Sequence, residues 1–579
     1  MSTSLPIRLP IRKVAVLGAG VMGQGIAAHL SNAGVPSVLF DIVPRDLPAG
    51  APRSKLAIDG IVNATKLKPA AFYKASLSSL ITPANYEDDG ALLADCDLII
   101  EAVVENMKVK TIVFDWVAKN RKPGSIVATN TSGLSLDEMA AAMPAEMAQH
   151  FLVMHFFNPV RYMRLLELVL GPQTLPAVGQ SVADFGRRLG KGIVFAKDTP
   201  NFIANRIGTF GMVSVFHHMG AHGLSIEAVD AVFGPAMGRP KSAVFRTADL
   251  VGNDTLAHVL RTVYDSCPDD EMRERFQVPA WLDRMVAEGA TGDKGGKGFY
   301  QKSKGPNGER LILARDLQSG EYLPSQKVRF DSLGKARNKE TVAAKVKAVL
   351  AGDDAAARFA WAVTADTLIY SAARIPEIAD DIVNIDRSMR WGFAWDMGPF
   401  ESWDAIGVAE SVARMKADGL QVPAWVDRML ASGRGSFYQR ESDGRMSCWD
   451  PLTDSAVDVP QPSTWLLLPD LKAAGKVVAY NPSAELYDLG EGVLGLSFRS
   501  KMNALDDGIV GMMIQALDEL EADKWEALVI GNQGGNAFSA GANIMMVAMN
   551  AMQGNWAELE LMIQTLQQTL QRAKYCRKP

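Results

Sequence analysis

Cysteine is scarce: four in 579 residues (Cys96, Cys267, Cys448, Cys576), with no CxxC pair. That argues against a disulfide framework and a thiolate zinc site, and makes a reducing compartment the default. The seven histidines show no metal-ligand spacing. An excess of positive charge is lacking too. Lys and Arg number 60 against 65 Asp and Glu, a net charge of −5, so no nucleic-acid partner is implied. No uninterrupted apolar run approaches the roughly 20 residues of a membrane span. The opening MSTSLPIRLPIRKVAVLG has no long apolar segment of secretory type. A soluble, cytoplasmic protein is expected. Its composition is that of ordinary globular proteins, 48% hydrophobic and 22% charged. The length exceeds what one core can serve, so three or more domains are expected.

What is present begins with a glycine turn. Val14 to Leu17 form an apolar run that ends in Gly18-Ala19-Gly20-Val21-Met22-Gly23. A helix-compatible segment follows from Gln24 to Asn32, then a second apolar run, Val38 to Phe40, closed by Asp41. Strand, turn, helix, strand and acid are what a dinucleotide requires. Gly18 permits the tight turn, Gly20 lets backbone approach a pyrophosphate, and Gly23 lets helix and strand pack closely. The pyrophosphate would rest on the helix N-terminus, where free N–H groups and the dipole favour an anion. Asp41, eighteen residues after Gly23, can bind a ribose hydroxyl and would repel a 2′-phosphate, which favours NAD over NADP. The alternative for Asp41 is a solvated strand end.

Residues 1–198 therefore predict an α/β domain with a Rossmann-type doubly wound sheet. Further strands are expected at Asp97–Val104, Ser125–Ala128, Leu152–Phe157 and Ile193–Ala196. Polar groups stand at the strand ends: Glu105-Asn106, Asn130-Thr131-Ser132, and His155 with Asn158. From about Thr199 helical periodicity takes over and an internal repeat appears. Pro279-Ala280-Trp281 recurs as Pro423-Ala424-Trp425, and Gly298-Phe299-Tyr300 as Ser436-Phe437-Tyr438. Ile226–Asp230 is echoed by Ile382–Asp386, and Phe245-x3-Asp249-x2-Gly252 by Phe400-x3-Asp404-x2-Gly407, at offsets of 138 to 156. Two related helical domains are expected at 199–302 and 355–440. The polar stretches 303–354 and 441–485 are expected to be linkers or peripheral excursions. Residues 486–579 begin another α/β pattern, with a strand at Leu494–Phe498, a helix at Ile509–Glu521, a strand at Ala527–Ile530 and a turn at Gly534–Asn543.

His155, at a strand end beside the cofactor cleft, can take a proton near neutral pH. Glu167, twelve residues on, can hold its other ring nitrogen and stabilise the imidazolium. With these residues in view the chain resembles the L-3-hydroxyacyl-CoA dehydrogenase family. The Gly18–Gly23 loop with Asp41, Glu101–Asn106, Asn130-Thr131-Ser132, His155–Pro159 with Glu167, and Asp198–Arg206 carry the resemblance, which covers residues 12–440. It implies two related all-α dehydrogenase C-terminal domains after the sheet. It implies that His155 abstracts the 3-hydroxyl proton of an acyl-CoA thioester while hydride leaves C3 for NAD. Glu167 would orient His155, and Ser132 and Asn205 would hydrogen-bond the substrate. Gly18, Gly20, Val21, Met22, Gly23, Asp41, Ala102, Glu105, Lys110 and Asn158 would line the cofactor. Ser132 also suits an N-cap for a helix from Leu134, Asn205 a cap or turn contact, and Lys110 a solvated helix face. Two departures stand out. The family has Gly at Asn201, and a Gly-Pro pair before the aromatic, which the first repeat (Gly238 to Phe245) lacks and the second keeps as Gly398-Pro399-Phe400.

The last segment resembles the start of the crotonase (enoyl-CoA hydratase/isomerase) fold through Met502–Leu505 and Phe538–Asn543. The resemblance implies that the N–H of Ala542 is half of an oxyanion hole. The other half and the acid/base glutamates have no counterpart before Pro579, so a partial crotonase-like α/β segment is expected. The function expected is NAD-dependent oxidation of (3S)-3-hydroxyacyl-CoA in fatty-acid β-oxidation. The alternatives are the N-terminal portion of a bifunctional enoyl-CoA hydratase/3-hydroxyacyl-CoA dehydrogenase, and a non-catalytic NAD/CoA-binding scaffold. No metal is expected. Self-association, or association with a fatty-acid oxidation partner enzyme, stays open.

Overall fold

The computed structural model describes residues 9–462, 465–533 and 537–579. Gly534, Gly535 and Asn536 of the turn expected near the C-terminus lie outside the described residues. The chain divides into two compact units, residues 1–437 with 449–455, and residues 438–448 with 456–579.

The first unit opens with β1 (Val14–Leu17), α1 (Val21–Asn32), β2 (Ser37–Asp41), α2 (Lys55–Lys66), β3 (Ile81–Asn85) and β4 (Leu98–Glu101). It continues with α3 (Met107–Asn120), β5 (Ile126–Thr129), α4 (Leu136–Ala141), α5 (Ala145–Ala148) and β6 (Phe151–Phe156). β7 (Leu165–Leu170), α6 (Pro176–Arg188) and β8 (Gly192–Ala196) complete it. The eight strands form one sheet in the order β3-β2-β1-β4-β5-β6-β7-β8. Neighbours run parallel except β6 and β7, which are antiparallel. The Rossmann-type expectation holds, and β3 and β7 extend it. The strands are apolar along their length because helices cover both faces. Val16, Ile100, Leu152 and Leu168 pack with Ile26 and Leu30 of α1 and Val182 of α6 in one core.

Helices dominate next: α7 (Ala204–Ala221), α8 (Ile226–Val232), α9 (Phe245–Val251), α10 (Asn253–Ser266) and α11 (Ala280–Ala287). After an interlude come α14 (Ala355–Ala373), α15 (Ile382–Gly392), α16 (Pro399–Ile406), α17 (Val408–Ala417) and α18 (Ala424–Ala431). The repeated residues do the same structural work in both places. Asp230 accepts from the amides of Val244, Phe245 and Arg246 at the start of α9, and Asp386 from those of Phe400 and Glu401 in α16. Asp249 accepts from Phe299 N at 2.7 Å and Asp404 from Phe437 N at 2.7 Å. Trp281 meets Phe299 edge-on at 5.7 Å, and Trp425 meets Phe437 at 5.7 Å. Burial first, opposed by those amide bonds, pushes the Asp230 pKa up to about 6.

The interlude, 303–354, is not irregular. It holds β9 (Tyr300–Lys304), β10 (Arg310–Arg315) and β11 (Tyr322–Pro324) in one sheet, then α12 (Asp331–Arg337) and α13 (Val342–Leu350). The β9–β10 hairpin turns at Asn307-Gly308, with Gly308 at φ +79°, a turn signal lost in the polar composition around it. Thr341 caps α13 by accepting from Ala344 N.

Residues 441–485 carry structure as well. β12 (Tyr438–Arg440), β13 (Met446–Asp450) and β14 (Ser455–Asp458) form a three-stranded sheet. In the second unit, α19 (Leu468–Ala473) precedes a sheet ordered β15 (Val477–Tyr480), β16 (Ala484–Asp488), β17 (Val493–Phe498), β18 (Ala527–Ile530). That sheet begins before residue 486. α20 (Asp507–Glu521) covers it, packing Ile509, Met513 and Leu520 on Leu486, Leu494 and Leu496. α21 (Ile544–Met552) and α22 (Trp556–Lys574) follow. Among the described residues no helix is long and apolar enough to cross a membrane, and no group of His, Cys, Asp and Glu could hold a metal.

Candidate active site

The carboxyl ends of β1, β4, β5 and β6 lie side by side, and the candidate residues gather there. At the end of β1, Gly18 takes φ +102°, and a Cβ on it would stand 2.7 Å from the carbonyl oxygen of Ala102. A Cβ at Gly23 would stand 1.7 Å from the Gly18 carbonyl oxygen. Both positions require glycine. Gly20 differs, since a Cβ there would meet nothing within 4 Å. The first turn of α1 has no side-chain cap and no acidic residue. Its amides at Val21, Met22 and Gly23 are among those a helix leaves without an internal partner, beside space that no protein atom fills. This is the fit a pyrophosphate needs. Asp41 ends β2 next door; its carboxylate accepts from Ala19 N at 2.6 Å and Ile42 N at 2.7 Å.

Gly20→Ala is therefore expected to leave the melting temperature unchanged and to weaken NADH binding tenfold or more. Thermal melts and fluorescence titration of NADH check it.

At β4 the structure gives a role to an acid that the resemblance included without one. Glu101 is fully buried and accepts from Lys110 Nζ (2.8 Å), Thr129 Oγ1 (2.6 Å) and Val103 N (2.7 Å). An acid closing an otherwise apolar strand was the available signal. Lys110, in α3, is 1% exposed and so is not a solvated helix lysine. Its ammonium also reaches Glu105 at 3.3 Å. Glu105 accepts from the Thr131 hydroxyl and from Ser132 N at 3.0 Å. Burial would raise its pKa, but Lys110, Thr131 and Ser132 outweigh that and hold it below the usual carboxylate value. Ser132 caps no helix. α4 begins at Leu136, and Ser135 is its cap, accepting from Glu138 N.

The β6–β7 register places His155 directly opposite Glu167. His155 is 5% exposed and Glu167 is fully buried. His155 Nδ1 lies 2.8 Å from Glu167 Oε2. The other Glu167 oxygen accepts from Ile203 N (3.2 Å) and Ala204 N (2.8 Å), where α7 starts. The carboxylate charge thus faces the positive end of a helix dipole. An acceptor-only carboxylate at Nδ1 places the ring proton there and leaves the lone pair on Nε2. Phe157 and Phe202 flank the ring, with centroids at 4.4 and 5.6 Å.

Asn130 ties the two groups together, its Oδ1 accepting from Phe156 N at 2.9 Å. Gly133 abuts Asn201, with an ideal Cβ 3.1 Å from Asn201 Oδ1, so the Ser132 loop meets the approach to α7. Asn205 is half-buried in the first turn of α7, next to the amide that Glu167 holds. Asn201 has φ +65°. Its departure from glycine is conservative in physical terms, because asparagine is the side chain best tolerated in the left-handed region. Asn158 is exposed beyond β6. Ala542 belongs to the second unit, where it is exposed and bridges Leu505.

Residues 13–199 match the family described as 3-hydroxyacyl-CoA dehydrogenase, NAD binding domain, and residues 202–302 match its C-terminal domain. A probable 3-hydroxyacyl-CoA dehydrogenase of Bacillus subtilis is 43% identical over 581 residues, covering 98% of this chain and 72% of that one. The chain belongs to the 3-hydroxyacyl-CoA dehydrogenase family. A putative fatty acid oxidation complex trifunctional enzyme of Rickettsia prowazekii is 30% identical, covering 98% of this dehydrogenase and 73% of its own length. A crystal structure of 3-hydroxybutyryl-CoA dehydrogenase from Escherichia coli shares the fold, at a TM-score of 0.54 and 22% identity, covering 73% of this chain and all of that one. The dehydrogenase is an NAD-dependent oxidoreductase, and the Gly18–Gly23 loop lies inside the NAD-binding match.

Proposed function

We propose that His155 is the general base that takes the 3-hydroxyl proton of a (3S)-3-hydroxyacyl-CoA, giving the 3-oxoacyl-CoA. The bond between Nδ1 and Glu167 carries this reading, because it leaves Nε2 as the acceptor. NAD, when bound, supplies the hydride acceptor. Glu167 fixes the ring and offsets the positive charge it gains. Ser132 and Asn205 flank the entrance to α7 and would hold the substrate oxygen. Glu105, kept anionic by Lys110, borders the cofactor side with Ala102, and Asn158 covers the outer edge. The phenyl rings beside His155 limit water where hydride moves.

The working divisions are 1–198 for cofactor and base, and 199–302 and 355–440 for two helical copies. From 486 onward the Ala542 amide offers one of the two donors that a crotonase oxyanion hole requires. Acetoacetyl-CoA-dependent oxidation of NADH tests the whole. Turnover with NADH, at least tenfold slower with NADPH, is expected. Saturable NADH binding with no turnover would replace the enzyme by a scaffold.

A further inference from the structure

A cavity of about 50 Å³ lies within the helical part of the first unit, lined by none of the residues placed above around cofactor and base. Its walls are largely apolar and include Met212 and Val215 of α7, Phe233, Phe393 and Trp395. Arg239 lines it too, with its guanidinium carbon over the Trp395 ring, 3.0 Å from the ring centre. No carboxylate, carbonyl or hydroxyl among the described residues lies within bonding distance of that guanidinium. The hydroxyls on the wall are already committed: Thr367 donates to Val363 O and Thr247 to Ala243 O. Arg239 is half-buried, whereas the buried arginines of this region are matched, Arg206 with Asp270 at 2.6 Å and Arg374 with Glu377 at 2.7 Å. Burial pulls the Arg239 pKa down to about 9, and Asp396 offsets only part of that.

The backbone around this space is unusual in two ways. Gly208 and Gly211 sit inside α7, where glycine weakens a helix. A Cβ at Gly208 would strike Phe393 at 2.1 Å, while one at Gly211 would meet nothing nearer than 3.9 Å. Ala243 (φ +50°) and Ala394 (φ +53°) hold left-handed conformations, strain that persists only where the surroundings impose it. Ala243 lines the cavity, and Ala394 joins two residues that do.

Gly208, Gly211, Met212 and Val215 form one stripe of α7. At roughly 100° and 1.5 Å per residue, Asn205 lies about 70° from the centre of that stripe and about 4.5 Å along the axis from its first member. We infer that this cavity binds a carboxylate carried on an apolar stem. The stem is either the far end of an acyl chain whose thioester lies at His155, or a free short-chain fatty acid. The first source rests on the base site proposed above and the second does not. At roughly 10–15 Å³ of such space per water, the cavity of about 50 Å³ has room for a carboxylate and a short stem.

Two measurements on the full chain test this. Tryptophan emission is followed during titration with butyrate, with Trp395→Phe assigning the signal. A saturable change is expected, lost in Arg239→Met and in Gly211→Val, which fills the space from the α7 side and keeps the arginine. The second measurement is the ratio of kcat/KM for a six-carbon 3-hydroxyacyl-CoA ending in a carboxylate to that for its methyl-ended counterpart. For the acyl-chain source, Arg239→Met lowers this ratio tenfold or more. An emission change with an unmoved ratio assigns the site to a free fatty acid. No saturable change in the unmodified protein, together with a ratio that Arg239→Met does not move, overturns the inference. Should a variant fail to fold, no saturable change and a ratio at or below one in the unmodified protein overturn it alone. Should neither thioester turn over, the base reading fails and the emission titration still decides the cavity.

Discussion

His155→Ala is expected to lower kcat by a factor of about 10²–10⁴, the usual worth of a positioned general base. NADH binding should stay within a few-fold, because the cofactor loop is built by β1 and α1. The protein should still fold, since the alanine removes no formal countercharge and leaves one Glu167 oxygen on the Ile203 and Ala204 amides. Glu167→Gln should cost less in rate. An amide oxygen turned to Nδ1 can still accept from it, but it supplies no negative charge against the imidazolium and sets its NH2 against the Ile203 and Ala204 amides. Stopped-flow oxidation of NADH by acetoacetyl-CoA measures both. A His155→Ala enzyme within threefold of the unmodified rate would remove the imidazole from the mechanism.

The second large effect is on stability. Lys110→Met leaves the Glu101 carboxylate fully buried with only the Val103 amide and the Thr129 hydroxyl as donors. Removing one partner of a buried ion pair typically costs about 3–5 kcal/mol. A fall of that size, read from urea unfolding followed through NADH binding, is expected. Glu101→Gln combined with Lys110→Met should recover most of it, because no charge is then stranded. If the single variant unfolds at the same urea concentration as the unmodified chain, the pair is not what holds β4 to α3.

The cofactor loop was legible in the sequence because its three glycines serve different ends: Gly18 and Gly23 each relieve a clash with backbone, and Gly20 between them leaves space. The His155–Glu167 pair was legible as two residue types twelve apart, but not as facing residues on antiparallel strands. β7 carries an acid in the middle of its apolar run, and β3 is a short edge strand interrupted by Pro83. Neither gave a strand signal of its own. Asn201 looked like a departure from the family pattern, and backbone torsion accounts for it. The segment 303–354 looked structureless because polar composition hid a hairpin turn and a capped helix. The repeat between helical regions was visible because its residues are buried aromatics and amide-accepting aspartates, whose geometry tolerates little drift.

Glu167 has one oxygen on the imidazole and the other on the first amides of α7, so sheet and helices grip the same carboxylate from opposite sides. A rigid swing that lifted α7 from the sheet would strip that carboxylate of two donors and loosen the hold on the ring.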